Sequence, residues 1–315
     1  KKNHLPKLRP ATCRDYEALI DDVILPAFKN VKVAEITNAD VDSLHRKITR
    51  QGTGRGKGAP YRANRTVALL SKMFSYSIKP LGWRADNPAK GIERNAESMR
   101  KRYLSSDELG ALINALAAYK DKQAANIVRL LILTGARRGE VLGARWPDFD
   151  LKAGVWTKPG ATTKQKTDHI VPLSEEAVEL VKAIRKAAGR DDEYLFPGRI
   201  EGHRVEIKHA WKELCVAAGI VTRTKAKSAK GEPITIIKPS ARLHDLRHSY
   251  ASYLASSGAS LPLIGALLGH TQPATTARYA HLLDDAQRAA TNQAAEFIKA
   301  ARKPGAQIIP IEEGR

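Results

Sequence analysis

Cysteine is nearly absent: Cys13 and Cys215 are the two in 315 residues. Two thiols cannot build a disulfide framework or a cysteine-based zinc site, and such scarcity fits a reducing cytosol. Long apolar runs are missing too. No stretch approaches the ~20 residues of a membrane-spanning helix, and the longest candidate, Ile127 to Ala136, is broken by Arg129. No signal peptide and no internal repeat is visible. The chain opens on Lys1-Lys2 without Met, so a natural segment is expected ahead of it. Acidic residues are also short. Against 53 Lys+Arg there are 33 Asp+Glu, a formal net charge of +20. An excess of that size favours a polyanionic partner, nucleic acid before a membrane surface. The length allows two domains with real cores.

The first part reads as helical. Thr12 is placed to N-cap a helix carrying Tyr16, Leu19, Ile20 and Val23 that stops near Pro26. Thr37 caps a second, with Val41, Leu44 and Ile48 at helical spacing. The glycine-rich, basic stretch 51–60 lacks the strand and the Lys-Ser/Thr ending of a phosphate-binding P-loop. It reads either as a connection that touches DNA backbone or as a linker only. From Tyr61 a longer helix aligns Val67, Leu70 and Phe74. Residues 93–102, charged and aperiodic, read as an interdomain linker. Ser105 and Glu108 then form a capping box ahead of Leu109, Leu112, Ile113 and Leu116, where a second domain starts. Short strand-like runs at 155–157 and 169–171 follow, then a helix capped by Ser174, a basic loop at 223–233, and several short helices from Ser240 to about Arg302.

Four segments carry chemically apt residues: TGARRGE (134–140), TTKQKTDHIVPL (162–173), LHDLRHSY (243–250) and LLGHTQPATTARY (267–279). Each is unremarkable alone. An arginine on a basic protein is usually solvated or ion-paired, a turn lysine is usually just exposed, and a tyrosine after a short helix usually packs. His244 and His248 have the spacing of half a metal site, but no HExxH glutamate is present and no nearby carboxylate or cysteine completes one. Together the residues suit a phosphodiester. A phenol with a pKa of about 10 is a weak nucleophile near neutrality and needs a base or a strongly cationic site. Two guanidinium groups match the non-bridging phosphate oxygens and stabilise the charge they gain. A lysine ammonium can protonate the leaving 5′ oxygen. Histidines can hydrogen-bond the phosphate or exchange protons with the nucleophile.

On these motifs the sequence resembles the tyrosine recombinases, the phage-integrase family. TGARRGE matches the family's TGxRxxE with Arg137 as first arginine and Glu140 at the acidic position that supports the site. His244 and Arg247 match HxxR, His270 ends LLGH, and Tyr279 follows in order and spacing. The family's lysine lies in a hairpin before a VPL segment, and Lys164 fits it best by its distance from Pro172, with Lys166 close by. Arg138 stands where an apolar neighbour is common. The match is strong over roughly 101–290 and weak over 12–90.

The resemblance implies a mainly α fold with a small antiparallel β-sheet. A helical core-binding domain (1–92), a linker (93–102), an α+β catalytic domain (103–283) and a helical tail (284–315) are expected, the two domains forming a C-shaped clamp on duplex DNA. It implies site-specific recombination through a 3′-phosphotyrosyl link and a Holliday junction, without cofactor or metal, by a homotetramer on synapsed double-stranded DNA with specific attachment or core sites. Accessory DNA-bending or directionality factors, an arm-binding domain before Lys1 and a bacterial cytoplasmic, nucleoid-associated location go with it. The insertions around 191–238 and the extended tail favour a prophage or mobile-element integrase over a chromosome-dimer resolvase. A type IB topoisomerase shares the tyrosine chemistry but not the TGARRGE and LLGH boxes, and a non-catalytic DNA-binding relic would not need the intact set. In the tail, Ala290, Ala294, Phe297 and Ile298 form an apolar stripe that packs on its own domain or docks on a neighbouring protomer.

Overall fold

The computed structural model describes residues 4–53, 57–98, 100, 102–160, 167–189, 192–227 and 232–301. They form two compact units, 1–100 and 101–315, mostly helical, with small antiparallel sheets in the second.

In the first unit, α1 (Pro10–Leu19) passes through a π-helical turn (Ile20–Ile24) into α2 (Leu25–Phe28). Two sequence expectations change here. Pro10 occupies the first turn and Arg9, not Thr12, is the N-cap; proline suits that position because its missing N–H has no partner there anyway. Pro26 does not end the helix. The widened turn just before it, with Leu25 N–H bonding Ile20 O, relieves the clash a proline ring makes with the preceding turn. α3 (Asn38–Gln51) starts at the expected Thr37, whose hydroxyl and backbone exchange hydrogen bonds with Asp40. α4 (Pro60–Ile78) packs against it, and Val41, Leu44, Ile48, Val67, Leu70 and Phe74 meet Leu19, Ile20, Val23 and Ile24 in one core.

The start of the expected linker is tied to this unit. Buried Asn64 accepts from Asn95 N–H at 2.9 Å, and its amide donates to Asn95 O and to Glu97 Oε1, both at 2.9 Å. Asn95 in turn donates to Thr49 Oγ1 at 2.9 Å. Polar pairing replaces the apolar periodicity the sequence reading searched for. Asn64→Leu keeps the volume and strands these partners, so it should cost about 1–3 kcal/mol in urea unfolding and speed proteolysis within 93–98. An unchanged midpoint and cleavage rate would show that the network contributes nothing.

The second unit is built around α6 (Lys122–Thr134), buried nearly all round through Ala124, Ala125, Ile127, Val128, Leu130 and Leu131. α5 (Ser106–Ala118), opened by the Ser105–Glu108 capping box, packs beside it. After the short α7 (Arg138–Leu142), β1 (Phe149–Asp150), β2 (Val155–Lys158) and β3 (His169–Pro172) make a three-stranded antiparallel sheet that pairs Trp156 with Val171 and Lys158 with His169. α8 (Glu175–Ala187) begins at Ser174 as expected. α9 (Lys208–Ala217), not foreseen, buries Ala210, Trp211, Leu214 and Cys215.

The basic loop expected at 223–233 is corrected. β4 (Val221–Lys227) and β5 (Pro233–Pro239) pair over seven positions as a separate ribbon, although 228–231 lie outside the described residues. Val221, at its base, packs on the core, while the rest of β4 is largely exposed, so no apolar alternation marks it. α10 (Leu243–Ser256), α11 (Leu261–Leu268), α12 (Pro273–Thr276) and a 3-10 turn (Ala277–Leu282) complete the unit, followed by α13 (Asp284–Ala301). On α13, Phe297 is 77% and Ile298 70% exposed, so the tail's apolar stripe is not covered by its own domain.

Candidate active site

The site's positions are set where helices stop. α6 ends at Gly135 in the left-handed region (φ 59°), where a Cβ would lie 2.4 Å from the Tyr250 ring. The chain then turns so that Arg137 caps α7 and Glu140 falls on its first turn. Glu140 Oε2 accepts from Arg137 N–H at 3.0 Å and from Lys158 Nζ at 2.8 Å, and Oε1 accepts from Arg137 Nη1 at 2.8 Å. The Lys158 and Glu140 side chains are 2% and 8% exposed. Burial pushes the Glu140 carboxyl up, but the charge and hydrogen bond of Lys158 and the bonds from Arg137 outweigh it and hold it at about 2. Burial also draws the Lys158 ammonium down, against Glu140's pull.

Arg247 lies on buried α10 and donates to two helix-terminal carbonyls, Gly135 O at 2.8 Å and Leu268 O at 2.6 Å. A helix C-terminus is electronegative, so two of them cradle a cation well. Burial, with Arg137's charge next, lowers the guanidinium to about 10, still charged at neutrality. Arg137 Nη2 donates to the next carbonyl, Gly269 O, at 3.3 Å. Gly269 closes α11 with φ 66°, and a Cβ on it would strike the His169 ring at 2.8 Å. His169 Nε2 faces Ala266 O at 2.8 Å, an acceptor, so that nitrogen carries the proton and ties β3 to α11.

Beyond this stop comes His270, its Nδ1 2.8 Å from Thr276 Oγ1. Burial and then the charges of Arg247 and Arg137 push it down to about 4. His244, one turn before Arg247's neighbour His248 on α10, is lowered by burial and by Arg247. These rings are therefore neutral at physiological pH. Tyr279 is 5% exposed and packs with Ala251, Ala255, Ile264 and Leu268. Its hydroxyl is 2.6 Å from His248 Nδ1. Burial raises the phenol's pKa, and Arg278 and Arg247 oppose that rise.

Arg137, Glu140, His244, Arg247, His270 and Tyr279 thus occupy one region of the second unit. Lys164 and Lys166 lie outside the described residues. Tyr253 donates to Leu104 O at 2.8 Å, and Tyr250 packs beneath Gly135. Sequence reasoning passed over Lys158, His169, Arg278 and His248. The last was weighed only as a metal ligand, although its place beside Arg247 on the same helix was the available signal.

Glu140→Gln preserves shape and leaves Lys158 buried without a counter-ion. It should destabilise the fold by about 3–5 kcal/mol in denaturant unfolding. Adding Lys158→Met should recover most of that stability but not DNA strand cleavage, because Arg137 still lacks its guide. The pH dependence follows from the folded carboxyl at about 2 against an ordinary 4.5. Its stabilisation is complete above about 4.5 and is lost as pH falls toward 2. Glu140→Gln should lack this acid-labile component, and equal acid sensitivity of the two proteins would sink the assignment.

The phage integrase family model matches residues 102–286, and a phage integrase N-terminal SAM-like domain matches residues 1–48. Tyrosine recombinase XerC of Xanthomonas campestris pv. campestris is 30% identical over 277 residues, 84% of this chain and 77% of that protein. XerD of Rhizobium meliloti is 27% identical over 295 residues, 87% and 86% of the two chains. Among solved structures, the Tn1549 transposon integrase in complex with circular intermediate DNA is similar in fold, with a TM-score of 0.67 at 16% identity over 90% of this chain and 94% of that one. A λ integrase dimer bound to a COC′ core site has a TM-score of 0.64 at 18% identity over 97% and 94%. With the family match spanning more than half of its length and the XerC likeness most of it, the chain belongs to the phage integrase family and is a tyrosine recombinase, an enzyme of site-specific DNA strand cleavage and transfer.

Proposed function

We propose that this recombinase integrates and excises a prophage or similar mobile element, with Tyr279 as its nucleophile. One observation carries the reading: Arg137, the α10 pair His244 and Arg247, and His270, from three segments of the chain, are gathered with the Tyr279 phenol in one unit. In this reading the phenol attacks the scissile phosphate and gives a 3′-phosphotyrosyl link and a free 5′ hydroxyl. Arg137 and Arg247 bind the non-bridging oxygens and stabilise their growing charge. His244 and His270, being neutral, hydrogen-bond the phosphate without adding to the cation repulsion. Lys164 protonates the departing 5′ oxygen. Bond energy stays in the covalent link, so the partner strand's 5′ hydroxyl can attack it, and two such exchanges pass through a Holliday junction.

The integrase reading is supported by the fold likeness to integrases and by the exposed ribbon and tail helix. A homotetramer on synapsed attachment sites belongs to the same reading. A λ integrase tetramer bound to a Holliday junction is among the similar structures, and the bare Phe297 and Ile298 offer a face for a neighbouring protomer. Accessory DNA-bending or directionality factors go with it. The 30% identity to XerC favours a second reading, a chromosome-dimer resolvase.

Sequencing DNA that the wild type captures covalently separates the two. Junctions between an element and its chromosome are expected, and one chromosomal site with no element beside it would favour the resolvase. Tyr279→Phe removes one oxygen and keeps the ring. It should bind the captured site nearly as well as wild type and leave no protein–DNA adduct in SDS; an adduct that persists, or maps to another tyrosine, overturns the nucleophile. Lys164→Ala should slow cleavage by about 10²–10⁴-fold, and a 5′-bridging phosphorothiolate, with its better leaving group, should restore it. Rescue seen with Lys166→Ala instead would move the role to Lys166.

A further inference from the structure

A buried phenol is harder to ionise than a free one, and Tyr279 is buried. The arginines alone do not remove its proton, so a nearby group has to take it. The candidates can be compared by what each already touches. Glu140 is occupied by Lys158 and Arg137. His169 commits its Nε2–H to Ala266 O. His270 Nδ1 faces the Thr276 hydroxyl. Asp245, on the first turn of α10, accepts from Arg242 N–H at 2.9 Å. His244 meets the edge of the His248 ring, with centroids 5.0 Å apart and planes at 86°. His248 is the histidine whose ring nitrogen lies at the phenol oxygen, Nδ1 to Oη 2.6 Å.

We propose that His248 Nδ1 is the proton acceptor for the Tyr279 hydroxyl in strand cleavage and returns that proton when the strand is rejoined. The proposal rests on Tyr279 being the nucleophile. Hydrogen-bond direction supports it. Arg278 also hydrogen-bonds the phenol oxygen, and a guanidinium can only donate. The oxygen therefore accepts from Arg278, and donating its own proton to His248 completes its hydrogen bonding without requiring a second donor on the same oxygen. A neutral His248 with its proton on Nε2 presents the lone pair of Nδ1 to that O–H.

The surroundings keep the ring neutral before DNA arrives. Burial, then His244 and Arg278, then Arg247, push His248 down to about 4, with Asp245 opposing. His270, from the end of α11, faces the same group of charges. A bound phosphodiester adds a negative charge among Arg137, Arg247 and Arg278, which raises the imidazole's affinity for a proton when the phenol must lose one. The step balances. The Tyr279 O–H bond breaks as Nδ1–H forms, and the phenolate oxygen bonds to phosphorus as the bond to the 5′ oxygen breaks. The departing oxygen is protonated by Lys164. On rejoining, the 5′ hydroxyl of the partner strand displaces the tyrosine oxygen, which recovers its proton from His248.

The test compares His248→Ala and His248→Asn with wild type in single-turnover cleavage. The substrate is a duplex carrying the covalently captured site, nicked beside the scissile phosphate so that cleavage is trapped. Asparagine keeps a hydrogen-bonding atom near the Nδ1 position but takes no proton. Both variants should bind this duplex and melt as wild type does, yet cleave about 10²–10⁴-fold more slowly at pH 7. The deficit should shrink by about tenfold per pH unit as hydroxide replaces the missing base. Added imidazole should partly restore His248→Ala. Wild-type rates with His248→Asn, or a deficit constant with pH, would reduce His248 to a packing or positioning role and overturn the proposal. Independently of DNA, ¹⁵N-histidine spectra of the free protein should show His248 Nδ1 unprotonated at pH 7 and shifted by Tyr279→Phe. A protonated Nδ1 also overturns it. An adduct that survives Tyr279→Phe sinks the nucleophile reading, whereas an adduct lost in Tyr279→Phe but formed at full rate by His248→Asn sinks only this inference.

Discussion

The Glu140 carboxylate is the anion around which the cations of the second unit are assembled. Arg137 and Lys158 each stand 2.8 Å from one of its oxygens, and Arg247 feels the same charge. Like charges about 4 Å apart at an effective dielectric of about 20 repel by ~4 kcal/mol, so cations gathered for a phosphate need a partner while none is bound. Glu140 supplies it from the first turn of α7, where it also caps the helix that presents Arg137. One side chain therefore fixes the start of α7, the orientation of Arg137 and the end of β2. Lys158 carries the constraint into the sheet, because its register partner is His169, whose ring fills the space under Gly269.

Backbone carbonyls hold the remaining cation. Arg247 spans the C-termini of α6 and α11, and those two helices stop where they do because Gly135 and Gly269 adopt left-handed backbone. A side chain at either position meets both steric strain and a ring already in place. The first glycine of TGARRGE and the glycine of LLGH are thus a geometric requirement. They let carbonyls point inward at an arginine while the next residues, Arg137 and His270, turn into the same space.

The legible part of the sequence was local chemistry. Thr37, Ser105 and Ser174 each show a side-chain oxygen three residues ahead of the N–H it accepts, and each caps a helix. The HxxR and LLGH spacings sit within single turns, so they survive folding unchanged. The missed features depend on distant partners. Pro26 looked like a stop because the π turn that accommodates it has no sequence signature. α9 has apolar residues at 210, 211, 214 and 215, a helical pattern that the charged flanks obscured. Beyond Val221 the β4–β5 ribbon is largely exposed, so no buried face produces alternation. Lys158 was passed over because its partner, Glu140, lies eighteen positions earlier and only the fold places the two together. His248 is separated from Tyr279 by 31 positions, and only the fold brings them together.

The electrostatics of the free protein also order events in the proposed reaction. In the free protein burial, and after it the neighbouring charges, keep the histidines neutral, and burial keeps the phenol protonated. A protonated phenol in an apolar seat does not attack water-borne or misplaced phosphates, since its nucleophilicity requires loss of the proton. A phosphate seated between Arg137 and Arg247 changes both terms together. It lessens the cationic field on the histidines, which favours proton uptake, and it places the electrophile among the donors that stabilise its transition state. In the proposed reaction the charge that identifies the substrate thereby favours the proton acceptor, and bonding to phosphorus removes the phenolate charge as it forms, so cleavage is coupled to correct seating of the DNA backbone.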